Sequence, residues 1–335
     1  MNTRYLAVAL ILAVLVALSA TVVSAEPREK PFGKGGKGPS KFEVGLIGDI
    51  PYNAEQEIQT QNLFEELNRE KLAFVAHDGD IKSGSSACLD EVYSREFDRF
   101  ESSRNPLVYT PGDNEWTDCH RLPNPSPEEA NPLNRLDLVR QTFFATDESL
   151  GKKTIPLARQ SEEYPENARW SRGGVAFATL HVVGSNNNRP TTLANGTVVG
   201  NEEEYEARNA ANLEWLAGTF DAARENGSAA VMLVIQANPF EEDTAQPSGF
   251  ADFKAALEEE TVAFGKPVVL VHGDTHTYRV DKPAISSGQP VPNFTRVETF
   301  GSPNVHWVRA SVDTHTPEVF SFRPEIVEEN PPPAP

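Results

Sequence analysis

The stretch VVLVHGDTHTY, residues 268–278, runs from four aliphatic residues into three groups that bind protons or metals, His272, Asp274 and His276. A short apolar run of this kind predicts a strand buried on both faces. The Gly and Thr between the polar groups are typical of a tight turn at a strand end. The stretch therefore predicts either a simple turn or one wall of a ligand site.

Four more polar clusters follow predicted strands at their carboxyl ends. They are GDIPY (48–52), HDGD (77–80), PGDNEW (111–116) and QANP (236–239). In open α/β sheets, ligands bind outside the carboxyl ends of the strands. Several carboxylates that converge there repel one another unless a cation lies among them. Together the clusters predict a metal site, and residues 272–276 form one of its walls.

Strands and helices alternate along the middle of the chain, which predicts an α/β fold with a mixed sheet and helices on both faces. The predicted strands lie at 42–49, 71–80, 106–116, 173–185, 229–239 and 265–276, and the predicted helices at 54–71, 90–103, 132–145, 202–224 and 248–260. Alternation at 306–313 and 318–324 predicts two antiparallel strands. The first helix is expected to bury Ile58, Leu63, Phe64 and Leu67 on one face.

Both ends of the chain differ in composition from the middle. Residues 1–25 carry Arg4, a long apolar run and a small-residue cleavage site ending at Ala25, which predicts a signal peptide and a secreted or periplasmic protein. An uncleaved membrane anchor is the alternative. Residues 26–41 predict a flexible linker and residues 325–335 a disordered Pro-rich tail. The remainder, 42–324, predicts one domain without internal repeats.

The charge and the cysteines narrow the class of function. The formal net charge is -19, and such a surface repels polyanions, so no nucleic-acid partner is expected. A phosphate-bearing substrate remains compatible, because a bound metal outweighs the general field locally. In an exported chain, Cys88 and Cys119 predict a disulfide, with two buried free thiols as the alternative.

The order of the motifs resembles that of the calcineurin-like metallophosphoesterases, over residues 42–280. Gly48-Asp49, Gly79-Asp80, Gly112 to Glu115 and Gly273 to His276 stand where that family has Asp-x-His, Gly-Asp, Gly-Asn-His-Asp/Glu and Gly-His-x-His. The resemblance implies a four-layer α/β sandwich, with mixed β-sheets flanked by helices and two divalent metals at the carboxyl ends of strands. It also implies hydrolysis of a phosphate ester by a metal-activated hydroxide.

Carried over position by position, the resemblance implies seven candidate metal ligands. They are Asp49, Asp80, Asp113, Asn114, Gln236, Asp274 and His276. Asp80 is expected to bridge the metals, and Asp49 and His276 to hold one of them. Asp113 and Asn114 are alternatives for the other metal, because the third motif aligns in two ways.

Several positions depart from the family pattern. Pro51 replaces the first-motif His, no His precedes Pro239, and Asp274 replaces the penultimate His. The Tyr of the purple acid phosphatases is replaced by Ser83, and Tyr52 belongs to a different motif. Oxygen donors suit Mn, Mg or Ca better than Fe or Zn, and the identity of the pair stays open.

The remaining polar residues allow more than one function. Glu115 and His120 are the candidates for protonating the leaving group, and His77 and His272 for orienting a ligand or bonding to backbone; His181 is expected in the core. The expected partner is a small phosphate ester, with no stable membrane association after signal cleavage. The alternatives are a metal-binding protein of the same fold without hydrolytic activity, and an acidic surface interaction module.

Overall fold

The computed structural model describes residues 38–121, 124–241 and 243–332. The predicted signal peptide, most of the predicted linker and the last three residues of the predicted tail lie outside the described residues. Within the described ranges the chain forms two large β-sheets, a two-stranded ribbon, five α-helices, a single four-residue turn and a short 3-10 helix.

The first sheet has five strands, of which three neighbours at one side are parallel and the two at the other side each run antiparallel to the strand before them. In spatial order the strands are β14 (Phe320–Glu325), β13 (Trp307–Asp313), β1 (Lys41–Ile47), β2 (Val75–His77) and β3 (Leu107–Tyr109). The predicted antiparallel pairing of the last two strands is confirmed.

The second sheet has seven strands, of which four neighbouring ones are parallel. In spatial order the strands are β11 (Arg279–Asp281), β12 (Phe294–Glu298), β10 (Val268–His272), β9 (Ala230–Val234), β6 (Val175–Thr179), β5 (Ala168–Arg172) and β4 (Ala158–Arg159). A separate hairpin pairs β7 (Thr191–Thr192) with β8 (Val198–Val199). The helices are α1 (Ala54–Arg69), α2 (Asp90–Ser102), α3 (Pro132–Phe143), α5 (Glu202–Glu225) and α6 (Ala251–Phe264). The four-residue turn Gly184–Asn187 is numbered α4 with them.

Local sequence explains where the long helices begin and end. The side chain of Asn53 accepts hydrogen bonds from the first turn of α1, and Asn131 and Asn201 cap α3 and α5 in the same way. Pro132 opens α3, where its missing N–H costs nothing. Gly265 ends α6 at a φ of 66°, a conformation that glycine adopts without strain.

The two sheets pack face to face, and helices cover their outer faces. Val44 and Leu46 of β1 share one apolar cluster with Val269 and Val271 of β10. On the far side of the first sheet, α1, α2 and α3 bury residues such as Phe64 against it. On the far side of the second sheet, α5 and α6 do the same. The α/β fold with mixed sheets in four layers, expected from the resemblance, is confirmed.

The observed elements differ from the predicted ones at several points. Ile58 is 66% exposed, so it does not share the buried face of Leu63, Phe64 and Leu67. Strands β4, β5, β7, β8, β11 and β12 were not predicted; four of them are only two or three residues long, too short for a period to show. Helix α6 starts and ends a few residues later than the prediction.

The predicted disordered tail joins the domain over its first residues. Glu325 belongs to β14, and Val327 is fully buried. The side chain of Asn330 donates hydrogen bonds to the carbonyls of Gln59 and Val305. The prediction of disorder from residue 325 is therefore wrong as far as Asn330, because the composition did not reveal these backbone partners.

Cys88 and Cys119 form a buried disulfide with a Cα–Cα distance of 5.8 Å, so the predicted pairing is confirmed. In the part of the chain that the structure describes, no helix combines the length and apolar character needed to cross a lipid bilayer.

Candidate metal centre

The parallel strands of both sheets end at one edge of the molecule. In the first sheet the register aligns Ile47, His77 and Tyr109, and in the second it aligns Thr179, Val234, Val271 and Val297. The loops that follow meet across the gap between the sheets: the N–H of Asp274 donates to both carboxylate oxygens of Asp49, at 3.0 and 3.2 Å. The two sheets therefore place the predicted polar clusters in a single cleft.

Three carboxylates form the centre of this cleft. One oxygen each of Asp80, Asp113 and Asp274 lie within 4.8 Å of one another, and Asp80 and Asp113 are only 2% and 5% exposed. Burial, and then the charges of Asp113 and Glu115, raise the pKa of Asp80 well above its usual range. The raised pKa favours the protonated form of Asp80 in the absence of a cation, and a hard divalent cation would relieve the crowding of the three carboxylates.

Asp49 and His276 lie together beside this trio. Nε2 of His276 is 3.4 Å from Oδ1 of Asp49, and its Nδ1 is 2.7 Å from the carbonyl of Ser302. Burial lowers the pKa of His276, but the bond to Asp49 and its charge outweigh burial, so the pKa is raised overall. A carbonyl at Nδ1 favours the tautomer that leaves Nε2 free to bind a metal.

Four of the predicted ligands have left-handed backbone conformations. Asp49, Asp80, Asp274 and His276 have φ values of 54°, 58°, 78° and 59°. Such conformations are uncommon outside glycine and collect at functional sites, where the surrounding structure holds them. They turn each side chain from the strand direction into the cleft.

Glycines allow the loops to approach the carboxylates closely. A Cβ on Gly273 would lie 2.0 Å from Oδ2 of Asp49. A Cβ on Gly184 would lie 2.8 Å from both Asp113 and Asp274. Neither position accommodates any side chain while the carboxylates keep their places.

Tyr52 is not one of the seven predicted ligands, but its side chain lies among them. Its hydroxyl donates to Oδ2 of Asp80 at 2.9 Å and lies 2.9 Å from the amide nitrogen of Asn114. The same oxygen is 3.2 Å from Nε2 of His276 and 3.5 Å from Oδ1 of Asp49. Burial, and then the charges of Asp80 and Asp49, raise the pKa of Tyr52 well above its usual value, so it remains a neutral phenol.

Ser185 and Asp118 extend the centre and were not predicted. The hydroxyl of Ser185 lies 2.8 Å from Oδ2 of Asp113 and 2.8 Å from Oδ1 of Asp118. Burial, and then the charge of Asp113, raise the pKa of Asp118 to about 8, against the opposing effect of Arg121. A Ser-Asn-Asn-Asn run with this role is indistinguishable in sequence from an ordinary turn.

The single turn α4 presents Ser185 to the cleft in an uncommon backbone conformation. Residues Ser185 to Asn188 have four consecutive φ values between 50° and 59°. Each left-handed non-glycine residue costs roughly 1–2 kcal/mol. The buried Arg208 offsets this strain: it donates to the side chain of Asn187 at 2.6 Å and to its carbonyl at 2.9 Å.

The two amide candidates present nitrogen, not oxygen, to the carboxylates. Nδ2 of Asn114 donates to Asp80 at 2.7 Å, and Nε2 of Gln236 donates to Asp113 at 3.1 Å. The side-chain oxygen Oε1 of Gln236 accepts from the N–H of Gly184 at 2.7 Å. Gln236 therefore orients Asp113 in this conformation, whereas Asn114 would bind a metal only after its amide rotates.

The two candidate proton donors lie in different environments. Glu115 is fully buried and accepts from Tyr109 at 2.8 Å and from the N–H of Ile81 at 3.1 Å, so it stands behind Asp80 and outside the cleft lining. His120 lines the cleft, and its Nδ1 is 2.6 Å from the carbonyl of Thr117. The geometry thus favours His120 over Glu115 for contact with a substrate.

Three other histidines support the surrounding structure. His77 accepts from the N–H of Gly79 at 3.2 Å, and Nδ1 of His272 lies 2.9 Å from the carbonyl of Gly273. Burial lowers the pKa of both rings to about 3, so both are neutral. His181 is buried in the core, as expected, where its Nδ1 lies 2.8 Å from Glu166.

Comparison with known proteins finds similarity only among solved structures, since no family model and no curated protein matches the chain. GAP50, the anchor in the inner membrane complex of Plasmodium, has 11% identity and a TM-score of 0.49 over 86% of this chain and 90% of that chain. Purple acid phosphatase from yellow lupin (Lupinus luteus) seeds has 13% identity and a TM-score of 0.46 over 85% of this chain and 54% of its own, so this chain spans about half of it.

Vacuolar protein sorting 29 from Cryptosporidium parvum has 13% identity and a TM-score of 0.33 over 85% of this chain and 97% of that chain. Identities and TM-scores this low do not indicate a function for this chain. Its function therefore has to be inferred from the geometry of the cleft. The fold and the cleft define an α/β sandwich protein with an acidic, metal-capable centre at its strand ends. Both features are those expected from the resemblance of the motifs to the calcineurin-like metallophosphoesterases.

Proposed function

We propose that the protein is an exported metal-dependent phosphoesterase. The observation that carries the proposal is the convergence of Asp80, Asp113 and Asp274 within 4.8 Å at the carboxyl ends of strands from both sheets. Three carboxylates so close together are stable in their charged form only around a cation. Oxygen donors suit Mn, Mg or Ca, and the single imidazole of His276 keeps Fe and Zn open.

The residues divide into two groups that share Asp80. Asp49 and His276 would hold one cation, and Asp113 and Asp274 the other, with Asn114 joining after rotation of its amide. Bound divalent cations supply Lewis acidity, which acidifies water and polarises a phosphate oxygen. The N–H of Asp274 holds the Asp49 carboxylate, and Gln236 holds Asp113, so both carboxylates are oriented before a substrate arrives.

His120 is the remaining candidate for protonating the leaving alcohol. It lines the same cleft as Asp80 and Asp113, whereas Glu115 is buried outside the cleft lining, and one of its oxygens accepts from Tyr109 and from the N–H of Ile81. The expected substrate is a small phosphate ester, because the chain is too acidic to favour nucleic acids.

The buried disulfide supports the proposal of export, because such bonds persist in oxidising compartments. The mature protein is expected to begin at Glu26 after cleavage behind Ala25. N-terminal sequencing of the protein from the extracytoplasmic fraction tests this. An intact Met1 in the membrane fraction would contradict it.

An inactive metal-binding protein is the second candidate function. It is favoured by the two amide groups, because Asn114 and Gln236 turn nitrogen toward the carboxylates. Metal analysis of the purified protein, with turnover of an aryl phosphate before and after chelation, separates the two. Metal-dependent turnover supports the phosphoesterase, metal binding without turnover supports the second candidate, and absence of metal binding overturns both.

A further inference from the structure

The cleft extends well beyond the carboxylates into a cavity of about 780 Å³. Pockets that take drug-sized ligands measure about 300–1,000 Å³. A phosphate at the centre would therefore leave room for the alcohol part of an ester. The outer walls come from residues 83–85, from residues 185–200 and from the segment around Thr244.

The charges in the cavity lining are suited to a substrate with one phosphate group and not to one with two. Its described carboxylates are Asp80, Asp113, Asp118, Glu241 and Asp274. Arg121 is the only lysine or arginine in the described lining, and its guanidinium pairs with Asp118. A second phosphate on the substrate would meet carboxylates without a free cation to balance it.

The aromatic groups in the lining offer little surface for a nucleobase. The rings of Tyr52 and His276 pack edge to face on the cavity floor, with centroids 5.2 Å apart. Among the described lining residues this leaves His120 as the only other ring. Recognition of a base by stacking needs an accessible aromatic face, which the outer walls do not supply.

Hydroxyl groups and short apolar side chains line the outer walls instead. The hydroxyls of Ser83 and Ser85 lie 2.9 Å apart at the exposed rim, and Thr244 faces the cavity from another segment. Leu193 of the β7–β8 hairpin, together with Val199, adds apolar surface. Hydroxyls both donate and accept hydrogen bonds, and apolar groups cover C–H faces, which together match a polyol.

We infer that the substrate is the monophosphate ester of a small neutral polyol, sugars included, and that nucleotides and bisphosphates are disfavoured. This inference rests on the proposed phosphoesterase function. The negative charge of Glu241 contributes to the selection at the mouth of the cavity. Its carboxylate lines the cavity and pairs with Arg279. Arg279 and Arg296 are also paired with Glu298 and Asp281, so neither is a free cation for a second phosphate.

The test compares a hexose monophosphate, the corresponding bisphosphate, a nucleoside monophosphate and an aryl phosphate as substrates of the metal-loaded protein. The hexose monophosphate should have a kcat/KM at least about tenfold above those of the bisphosphate and the nucleotide. Calorimetry with unreactive phosphonate analogues should show the same order of affinity, whether or not turnover occurs.

Equal use or equal binding of the nucleotide or bisphosphate overturns the inference, while turnover of the aryl phosphate would still uphold the proposed function. Failure to hydrolyse any ester overturns the proposed function. In that case, selective binding of the hexose phosphonate would still support a polyol-phosphate site, and non-selective or absent binding would overturn it.

Two variants test whether the named residues determine the substrate preference. Glu241→Gln should raise the bisphosphate-to-monophosphate ratio of affinities, because it removes one negative charge from the lining of the cavity. The double variant Ser83→Ala/Ser85→Ala should lower the ratio of hexose to aryl phosphate turnover. The matched control is Ser94→Ala/Ser102→Ala on the exposed face of α2, which should leave both ratios unchanged; unchanged ratios in the test variants as well would contradict the assignment.

Discussion

The hydroxyl of Tyr52 donates a 2.9 Å hydrogen bond to Oδ2 of Asp80, although 28 residues separate them in the chain. The same oxygen contacts Asn114, His276 and Asp49. Tyr52 therefore links the Asp80 group with the Asp49 and His276 group. Its phenol and the N–H of Asp274, which donates to Asp49, together connect the two halves of the proposed metal centre.

Replacing Tyr52 by Phe should weaken metal binding without unfolding the protein. The Phe ring would keep the packing on His276, but Asp80 and Asn114 would lose the hydroxyl. Loss of a group that orients metal ligands typically costs about 10–100-fold in affinity or activity. Competition with a fluorescent chelator measures the affinity, and unaltered affinity in Tyr52→Phe would show that the phenol is only a packing residue.

Replacing Asp80 by Asn should remove more metal and more activity than any other single change in the centre. A carboxylate shared by two cations contributes its charge to both, and an amide cannot replace it. Asp49→Asn and Asp274→Asn should each weaken mainly one cation. Metal stoichiometry after dialysis checks this, with Asp221→Asn on the exposed part of α5 as the control.

The same Asp80→Asn variant should be more stable than the wild type in chelator. The pKa of Asp80 is higher in the folded protein than in the unfolded chain. The group therefore costs folding stability once the pH exceeds its unfolded pKa, and the cost grows until the pH passes the folded pKa. The gain in urea midpoint should be larger at about pH 8 than at about pH 5, and a gain that shrinks as the pH rises would contradict this explanation.

Changes at Ser185 should separate the role of its hydroxyl from the strain of its backbone. Ser185→Ala removes the bonds to Asp113 and Asp118 and keeps a side chain at a φ of 50°. Ser185→Gly removes the bonds and the strain together. Both variants should bind metal about tenfold more weakly, and the Gly variant should be more stable than the Ala variant by about 1 kcal/mol. Full metal affinity in both variants would leave the hydroxyl without a role.

Removing the disulfide should affect both stability and the centre. Cys88→Ala/Cys119→Ala opens a link that spans 31 residues, and loops of this size typically lose about 3–4 kcal/mol of unfolding free energy. Cys119 lies between Asp118 and His120 in the 3-10 helix Thr117–His120, so metal affinity should fall as well. Urea unfolding and chelator competition measure the two effects. Unchanged metal affinity in a destabilised variant would show that the disulfide stabilises the fold but does not affect the metal centre.

Protonation of Glu166 should lower the free energy of unfolding in acid, independently of the metal centre. Burial alone would raise the pKa of Glu166, but the bonds and charges of His181 and Arg140 outweigh it and lower the pKa from 4.5 to about 2. The stabilisation is complete above pH 4.5 and is lost as the pH falls toward 2, an effect of about 3 kcal/mol. Urea midpoints against pH in chelator should show a shallower loss for Glu166→Gln than for the wild type and the exposed control Glu225→Gln. Equal slopes would refute the assignment.

The sequence was sufficient to predict the alternation of strands and helices and the location of the acidic cluster. Apolar runs in the sequence predict buried strands, and Asp49, Asp80 and Asp274 come shortly after such runs. Since parallel strands end at the same edge, their polar ends must converge. The disulfide was predictable for a similar reason, because Cys88 and Cys119 follow two of these ends.

The direction of each side chain was decided only by the tertiary structure. Glu115 stands next to a candidate ligand in sequence, yet its carboxyl turns away to Tyr109. Tyr52 and Ser185 reach the centre from outside the expected motif positions, because left-handed backbone at Asp49 and Ser185 redirects the chain after the strand. Such conformations depend on contacts between segments far apart in the chain, such as the 72 residues between Asp113 and Ser185. The apolar pattern that predicts a strand is a local property of the sequence. The orientation of a side chain toward the cleft depends instead on which loops, distant in sequence, pack around it.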